Sequence, residues 1–391
     1  MGERRLTDRG ARRLPRPRRL TPRPMTHISE LDTPALLWDL DVVERNIAEM
    51  ASRAAAAGVR LRPHTKTHKS TEIARMQLAA GASGVTVAKL GEAEVMVEAG
   101  FDDLLVAFPI VGTAKLRRLR ALLERATIRL SLDSPEVAEG LGRIGNGRGE
   151  PIEVLVEVDT GLHRMGRPAG GATAELVAEV ADVPGVEVAG LLTHAGHAYR
   201  AASPEELLRI AEREGADLVE TAELCERAGV PIREISVGST PTARIVAGVA
   251  GVTEIRPGTY VFNDGQQMRL GVAAEDSCAA RVLTTVVARP WQDRFLIDAG
   301  TKCFSSDGGD GPPFPGRGVV AGRPDLRLDF MSEEHGVGHV EPGGDPPRIG
   351  DRLEVVPLHV CSCVNLFDAA YGVRAGVVDR ELRIEGRGKV R

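Results

Sequence analysis

A chain of 391 residues is long enough for two domains, or for one large barrel with an appendage. Its composition, 42% hydrophobic and 27% charged, is that of an ordinary folded protein, and no apolar run reaches the roughly 18 residues of a membrane span, so disorder, collagen, coiled coil and a membrane helix are excluded. A net charge of -5 gives no electrostatic reason for a nucleic-acid partner, and five irregularly spaced cysteines do not form a secreted disulfide framework, which fits a reducing cytoplasm.

Residues 1–24 carry nine Arg against Glu3 and Asp8, with four Pro and no apolar periodicity, and predict a disordered tail over 1–28. No apolar stretch makes it a secretory signal, its Pro density and lack of Ser disfavour an organelle presequence, and a start at Met25 would omit it. Across 29–270, apolar β-rich runs alternate with helical stretches. Strands are predicted at 59–66, 84–89, 103–109, 128–133, 152–159, 186–194, 234–239 and 252–260, with helices at 91–98, 135–140, 172–181 and 204–227 among the connections. Eight strands with helical crossovers predict a (β/α)8 barrel of the TIM type; a doubly wound open sheet is the alternative that periodicity leaves open. The texture changes over 271–391, where 279–288, 293–298, 350–356 and 376–385 are strand-like between Pro/Gly turns, predicting an all-β domain with a long loop at 307–327.

In such a barrel, chemistry gathers where strands end. The first predicted strand ends in Arg62-Pro63-His64-Thr65-Lys66-Thr67-His68-Lys69. A lysine facing inward there loses hydration and is pushed toward a lower pKa, as a Schiff-base lysine requires, although a basic surface turn has the same composition. The fifth runs into Asp159-Thr160-Gly161-Leu162-His163-Arg164-Met165-Gly166, where Arg164 is either a fixed donor or a solvated loop residue. The sixth ends in Thr193-His194-Ala195-Gly196-His197-Ala198-Tyr199. The last two run into Gly238-Ser239-Thr240-Pro241-Thr242 and Arg256-Pro257-Gly258-Thr259-Tyr260, adjacent turns of small and hydroxylic residues that can offer N–H and O–H groups to a phosphate. In the second domain, Pro357-Leu358-His359-Val360-Cys361-Ser362-Cys363, read as extended, puts His359, Cys361 and Cys363 on one face. An imidazole and a thiolate favour zinc over magnesium or calcium; the alternative is free cysteines acting as small buried hydrophobes.

Together these segments resemble the D-serine dehydratase and D-threonine aldolase family of fold-type III pyridoxal phosphate (PLP) enzymes, whose barrel is of the alanine racemase kind. The resemblance runs from about Leu31 onward, on Leu31-Asp32-Thr33-Pro34-Ala35, 62–69, 156–166, 194–199, 238–242, 257–264, Glu333-Glu334-His335-Gly336 and His359-x-Cys361. It implies that Lys66 carries PLP as a Schiff base and that Arg164 faces the pyridine nitrogen. Tyr199, Ser239, Thr240, Gly258 and Thr259 would hold the cofactor, the Gly and Thr positions around its phosphate, while His359 and Cys361 would bind a divalent metal, zinc. An arginine at the ring nitrogen keeps its own proton, which restrains racemisation and transamination. The metal, as a Lewis acid on the substrate 3-hydroxyl, serves either dehydration after Lys66 removes the Cα proton or retro-aldol cleavage. Cys361, with 238–242 and Tyr199, resembles the dehydratase branch, in which D-serine gives pyruvate and ammonia; D-threonine aldolase is the alternative. A racemase would need a second base, for which Tyr371 is the only tyrosine of the β domain, and a non-catalytic PLP-binding protein would not need that domain. Leu192 stands where the dehydratases often place a Tyr, and His64 and His68 are each either a base or a core histidine. The resemblance also implies a homodimer that acts on a small D-amino acid.

Overall fold

The computed structural model describes residues 26–308 and 316–391. The predicted tail lies outside them except for its last three residues, as do seven residues of the predicted 307–327 loop.

All eight predicted barrel strands form, most of them shorter at one or both ends. They are Arg60–Leu61, Val85–Val87, Asp103–Val106, Thr127–Leu132, Ile152–Asp159, Val186–Leu192, Glu234–Val237 and Glu254–Ile255, each parallel to its neighbours. Ser83 N–H donates to Leu61 O and Thr86 N–H to Pro63 O, both at 2.8 Å, which joins the two end strands and closes the ring. The barrel is therefore a closed one. Helices Leu90–Glu98, Pro135–Arg148, Gly171–Ala181 and Pro204–Arg227 lie among its connections. The last is the longest because its signals agree: Pro204 starts it, Ser203 Oγ accepts from Glu206 N–H at 3.2 Å, and Leu207, Ala211, Leu218, Ala222 and Cys225 bury one stripe.

At the strand starts the barrel is plugged by charge. Arg62, 1% exposed, donates from Nε to Glu254 at 2.9 Å and from both Nη atoms to Asp103 at 2.9 and 3.2 Å. Arg129 bridges Asp103 at 2.9 Å and Glu234 at 2.7 Å. Above this layer Leu105, Leu155 and Leu192 fill the interior, so Leu192, where a Tyr was of interest, is part of the barrel packing as well as a cavity wall. Above them the barrel opens.

The second sheet contains a closed antiparallel barrel of Ala280–Trp291, Arg294–Ile297, Gly336–Val340, Leu326–Met331, Gly318–Val320 and Arg352–Pro357. It extends through Ala35–Asp39, Ala369–Arg374 and Val377–Arg383. Three expectations change. The strand Ala35–Asp39, in the segment assigned to the PLP barrel, instead pairs antiparallel with Ala280–Trp291 and parallel with Ala369–Arg374. Its alternating pattern places Leu36 and Trp38 in the β-domain core, which outweighs sequence adjacency to the barrel. The 307–327 segment is not all loop, since Gly318–Val320 pairs with Arg352–Pro357. And 359–363 is not extended: His359 caps a short helix, Val360–Val364. Among the described residues no helix is long and apolar enough to cross a membrane.

Replacing Arg62 by Met leaves Glu254, fully buried, short of its main counter-charge, and removal of one partner of a buried pair costs about 3–5 kcal/mol. Urea unfolding of Arg62→Met is expected to show that loss, and Arg62→Met/Glu254→Met to recover much of it. A single variant as stable as the wild type would refute the structural role of this layer.

Candidate active site

A cavity of about 520 Å³ opens at the strand ends of the parallel barrel. Lys66, Arg164, Tyr199, Ser239, Thr240, Gly258 and Thr259 all line it, so every barrel residue singled out for cofactor binding meets in one space. Lys66 follows the strand Arg60–Leu61 in a turn held by Thr65 Oγ1, which donates to Thr86 O at 3.1 Å, and by Lys69 N–H to Thr65 O at 2.7 Å. Burial lowers the Lys66 pKa; the charge of Cys361 offsets part of this, and Arg164 and Arg256 add to it.

The phosphate-type turns are cross-braced. Gly238 has φ +103°, a conformation that favours glycine, and its N–H donates to Glu214 Oε1 at 2.9 Å. Ser239 and Thr242 form a capping box, while Thr240 Oγ1 accepts from Tyr260 N–H at 3.0 Å and so links the turns after the last two strands. Tyr199 lines the same space, and burial drives its phenol above the ordinary range. Hydroxyls and small residues on one side, with a desolvated lysine next to them, suit a phosphorylated carbonyl cofactor.

His359 and Cys361 come together on the β-domain side. The imidazole pairs with the thiol, and its Nδ1 meets Asp307 Oδ2 at 2.6 Å. Burial opposes charge on both groups, but the contacts with Cys361 and Asp307 raise His359 to about 10, and His359 draws Cys361 down. Cys361 Sγ lies 3.2 Å from Thr67 Oγ1 and 3.7 Å from Thr259 Oγ1, beside the cavity wall. An imidazole oriented by a carboxylate next to an acidified thiol is the donor chemistry of a zinc-type ion. Among the described residues no group of three or more His, Cys, Asp or Glu is arranged for a metal, so two protein ligands are what this pair offers. Cys363 does not join them: helical geometry turns it into the core, where its thiol donates to Cys303 O at 3.1 Å and burial pushes its pKa up.

Other motif residues separate by place. His68 is a core histidine, with Nε2 3.2 Å from Gln77 Oε1, Nδ1 accepting from Ser70 N–H at 3.1 Å, and burial holding its pKa down to about 4. His64 lines the cavity, its Nδ1 accepting from Lys66 N–H at 3.3 Å. Burial, then Lys66 and Arg256, keep it neutral, which leaves Nε2 as a donor. His335, in Glu333-Glu334-His335-Gly336, is exposed. Tyr371 packs beside Leu31, Ala35 and Leu37 and does not line the cavity of its own chain.

Sequence reasoning missed four groups here. Arg256 is 5% exposed and donates to Ser236 Oγ at 2.6 Å and Thr193 O at 2.5 Å. Glu157, also 5% exposed, lies 4.0 Å from Arg164. Lys89 stands after the strand Val85–Val87. Asp264, fully buried, accepts from Gln267 N–H and Val360 N–H, both at 3.0 Å, and so anchors the His359–Cys361 segment to the barrel. A charged residue within a predicted barrel strand was the available signal for Glu157 and Arg256.

Comparison with known proteins identifies the family. The family model for the alanine racemase N-terminal domain matches residues 38–265, and that for a putative serine dehydratase domain matches 279–373. The chain is 38% identical to the D-threo-3-hydroxyaspartate dehydratase of a Delftia species, over 91% of this chain and 98% of that one. It superposes on the crystal structure of D-threonine aldolase from Filomicrobium marinum with a TM-score of 0.86 and 32% identity, covering 95% and 99% of the two chains. A Cys-to-Ala variant of a D-threo-3-hydroxyaspartate dehydratase, solved in a metal-free form, superposes with a TM-score of 0.84 and 35% identity over 92% and 98%. With both domains matched in order over nearly the whole chain, the protein belongs to the PLP-dependent, alanine-racemase-like family of lyases that joins an alanine racemase N-terminal domain to a serine dehydratase domain.

Proposed function

We propose that this protein is a PLP- and metal-dependent lyase that dehydrates a D-3-hydroxy amino acid, D-serine being the simplest, to the 2-oxo acid and ammonia. The observation that carries it is the meeting of Lys66 with the His359–Cys361 pair across Thr67 and Thr259. When bound, PLP supplies the electron sink for bond cleavage at Cα, and the metal supplies a Lewis acid at the 3-hydroxyl.

The chain's own groups do the rest. Lys66 Nζ, its pKa lowered by burial, is available as the base for the Cα proton, and His359 and Cys361 would hold the metal that would supply the Lewis acid. Loss of hydroxide from Cβ and hydrolysis of the resulting enamine leave the 2-oxo acid and ammonia. Arg164 and Arg256, both lining the cavity, bring fixed positive charge to anionic groups. His64 keeps an N–H donor without adding charge. The cationic groups, His64 and the His359–Cys361 pair would serve retro-aldol cleavage equally, whereas removal of the Cα proton and loss of hydroxide belong to dehydration alone. Retro-aldol cleavage is the second reading, favoured by the fit to the Filomicrobium marinum enzyme.

Glu157 moderates this positive cavity. Burial raises its carboxyl to about 7, against an ordinary 4.5, and the neighbouring Arg256 and Arg164 limit the rise. Between those values the folded chain holds a proton that the unfolded chain has lost. Its contribution to stability therefore falls as pH rises from about 4.5 to about 7, by about 3 kcal/mol at most. Glu157→Gln is expected to flatten that part of the profile, read as a smaller drop in Tm between about pH 5 and about pH 8. An unchanged slope would remove Glu157 from this role.

Product analysis tests the reaction. Pyruvate and ammonia from D-serine are expected, lost on addition of EDTA while the visible absorbance of bound cofactor persists, and Lys66→Ala is expected to lose both turnover and that absorbance. Glycine and acetaldehyde from D-threonine, with no pyruvate from D-serine, would establish the aldolase instead.

A further inference from the structure

We propose that Lys89 makes the site selective for substrates whose side chain carries a second negative charge; this rests on the lyase reading above. In the ring of strands, Val85–Val87 follows Arg60–Leu61 on the side away from Glu254–Ile255. Lys66 is thus flanked by two different walls. One holds Gly258, Thr259 and the 238–240 turn, built for a phosphate. The other, after Val85–Val87 and Asp103–Val106, consists of Ala88, Lys89, Ala107, Phe108 and Pro109. Its single charge is Lys89.

The charge of Glu92 reaches that ammonium without pairing with it. Among the described residues no carboxylate forms an ion pair with it, because the nearby Glu92 takes Lys69 Nζ at 3.1 Å and Ala88 N–H at 2.7 Å. Lys89 Nζ instead lies 3.3 Å from the centroid of the Phe108 ring. The other cavity cations stand elsewhere: Arg256 donates to Ser236 and Thr193, Arg164 lies 4.0 Å from Glu157, and Lys66 has its reactive role, so Lys89 is the cation of this wall. A partly buried ammonium resting on an aromatic face has exchanged some hydration for a weak quadrupole interaction. A ligand carboxylate can complete it with a charge-assisted hydrogen bond, whereas the hydroxymethyl of D-serine or the hydroxyethyl of D-threonine cannot. The favoured substrate class is accordingly a D-3-hydroxy amino acid with an acidic side chain, of the 3-hydroxyaspartate type.

The test measures kcat/KM of the PLP- and metal-loaded protein for D-threo-3-hydroxyaspartate and D-serine, in the wild type, Lys89→Met and Lys89→Arg. The ratio of the two values is expected to fall by about tenfold to a hundredfold in Lys89→Met, the effect of one charge-assisted hydrogen bond, and to be largely retained in Lys89→Arg. An unchanged ratio, including one in which both substrates suffer equally, overturns the proposal. Calorimetric titration with succinate and with butyrate gives a readout independent of turnover: Lys89→Met is expected to weaken succinate and not butyrate. Should the wild type turn over neither amino acid, the lyase reading fails, and the succinate titration alone decides Lys89, unchanged affinity overturning it.

Discussion

The site depends on a seam. Lys66 comes from the parallel barrel and Cys361 from the β domain, and their approach is set by Asp264, a fully buried carboxylate that caps one helix on the barrel side and accepts Val360 N–H on the other. Burial raises its pKa to about 6, and the hydrogen bonds it accepts pull against that rise. A buried carboxyl is tolerated only where such donors surround it. Lys69 ties the same seam from the other side, with its Nζ 2.8 Å from Asn365 Oδ1 and 3.1 Å from Glu92. The lysine that defines the cavity and the pair suited to a metal thus form one unit made of two domains.

Charge within the cavity is divided by role. Arg164, Arg256, Lys66 and Lys89 supply positive groups, Glu157 offsets them, and His64 and His194 are kept neutral by burial and by the cations around them. Two uncharged imidazoles in so basic a space can orient a ligand by hydrogen bonding without strengthening the field. The interior below is apolar, and below that Arg62 and Arg129 are bound by carboxylates at the strand starts. Activity and stability are therefore placed at opposite ends of the same eight strands.

Much of this was legible in the sequence. The barrel strands show because both faces are buried, giving short apolar runs with turn residues between them. The segments that carry Lys66, Arg164, Ser239 and Thr259 show because polar groups at strand ends stand out against such runs, while the choice of those residues and of Tyr199 came from the family resemblance. What did not show depends on pairing across long separations. Ala35–Asp39 reads as any apolar strand, and only contact with Ala280–Trp291 and Ala369–Arg374 assigns it to the second domain. Alternation misplaced Cys363 because His-x-Cys-x-Cys is compatible with a strand and with a helical turn, and the Asp264 cap selects the turn. Lys89 was passed over because nothing local separates a cavity lysine from a surface one.

The placement of Ala35–Asp39 also bears on how the chain comes to be folded. During synthesis this strand emerges early, yet Leu37 lies in register with Arg281 on one side and with Tyr371, near the far end of the chain, on the other. The strand's two neighbours in the sheet come from near residues 281 and 371, so Leu36 and Trp38 lack a complete core until both segments are made. Such non-local pairing slows folding and lengthens the exposure of an apolar strand to other chains. It also means that a cut at the apparent boundary near residue 270 separates the β domain from one of its own strands, so the two domains are not interchangeable modules but successive layers of a single folding unit.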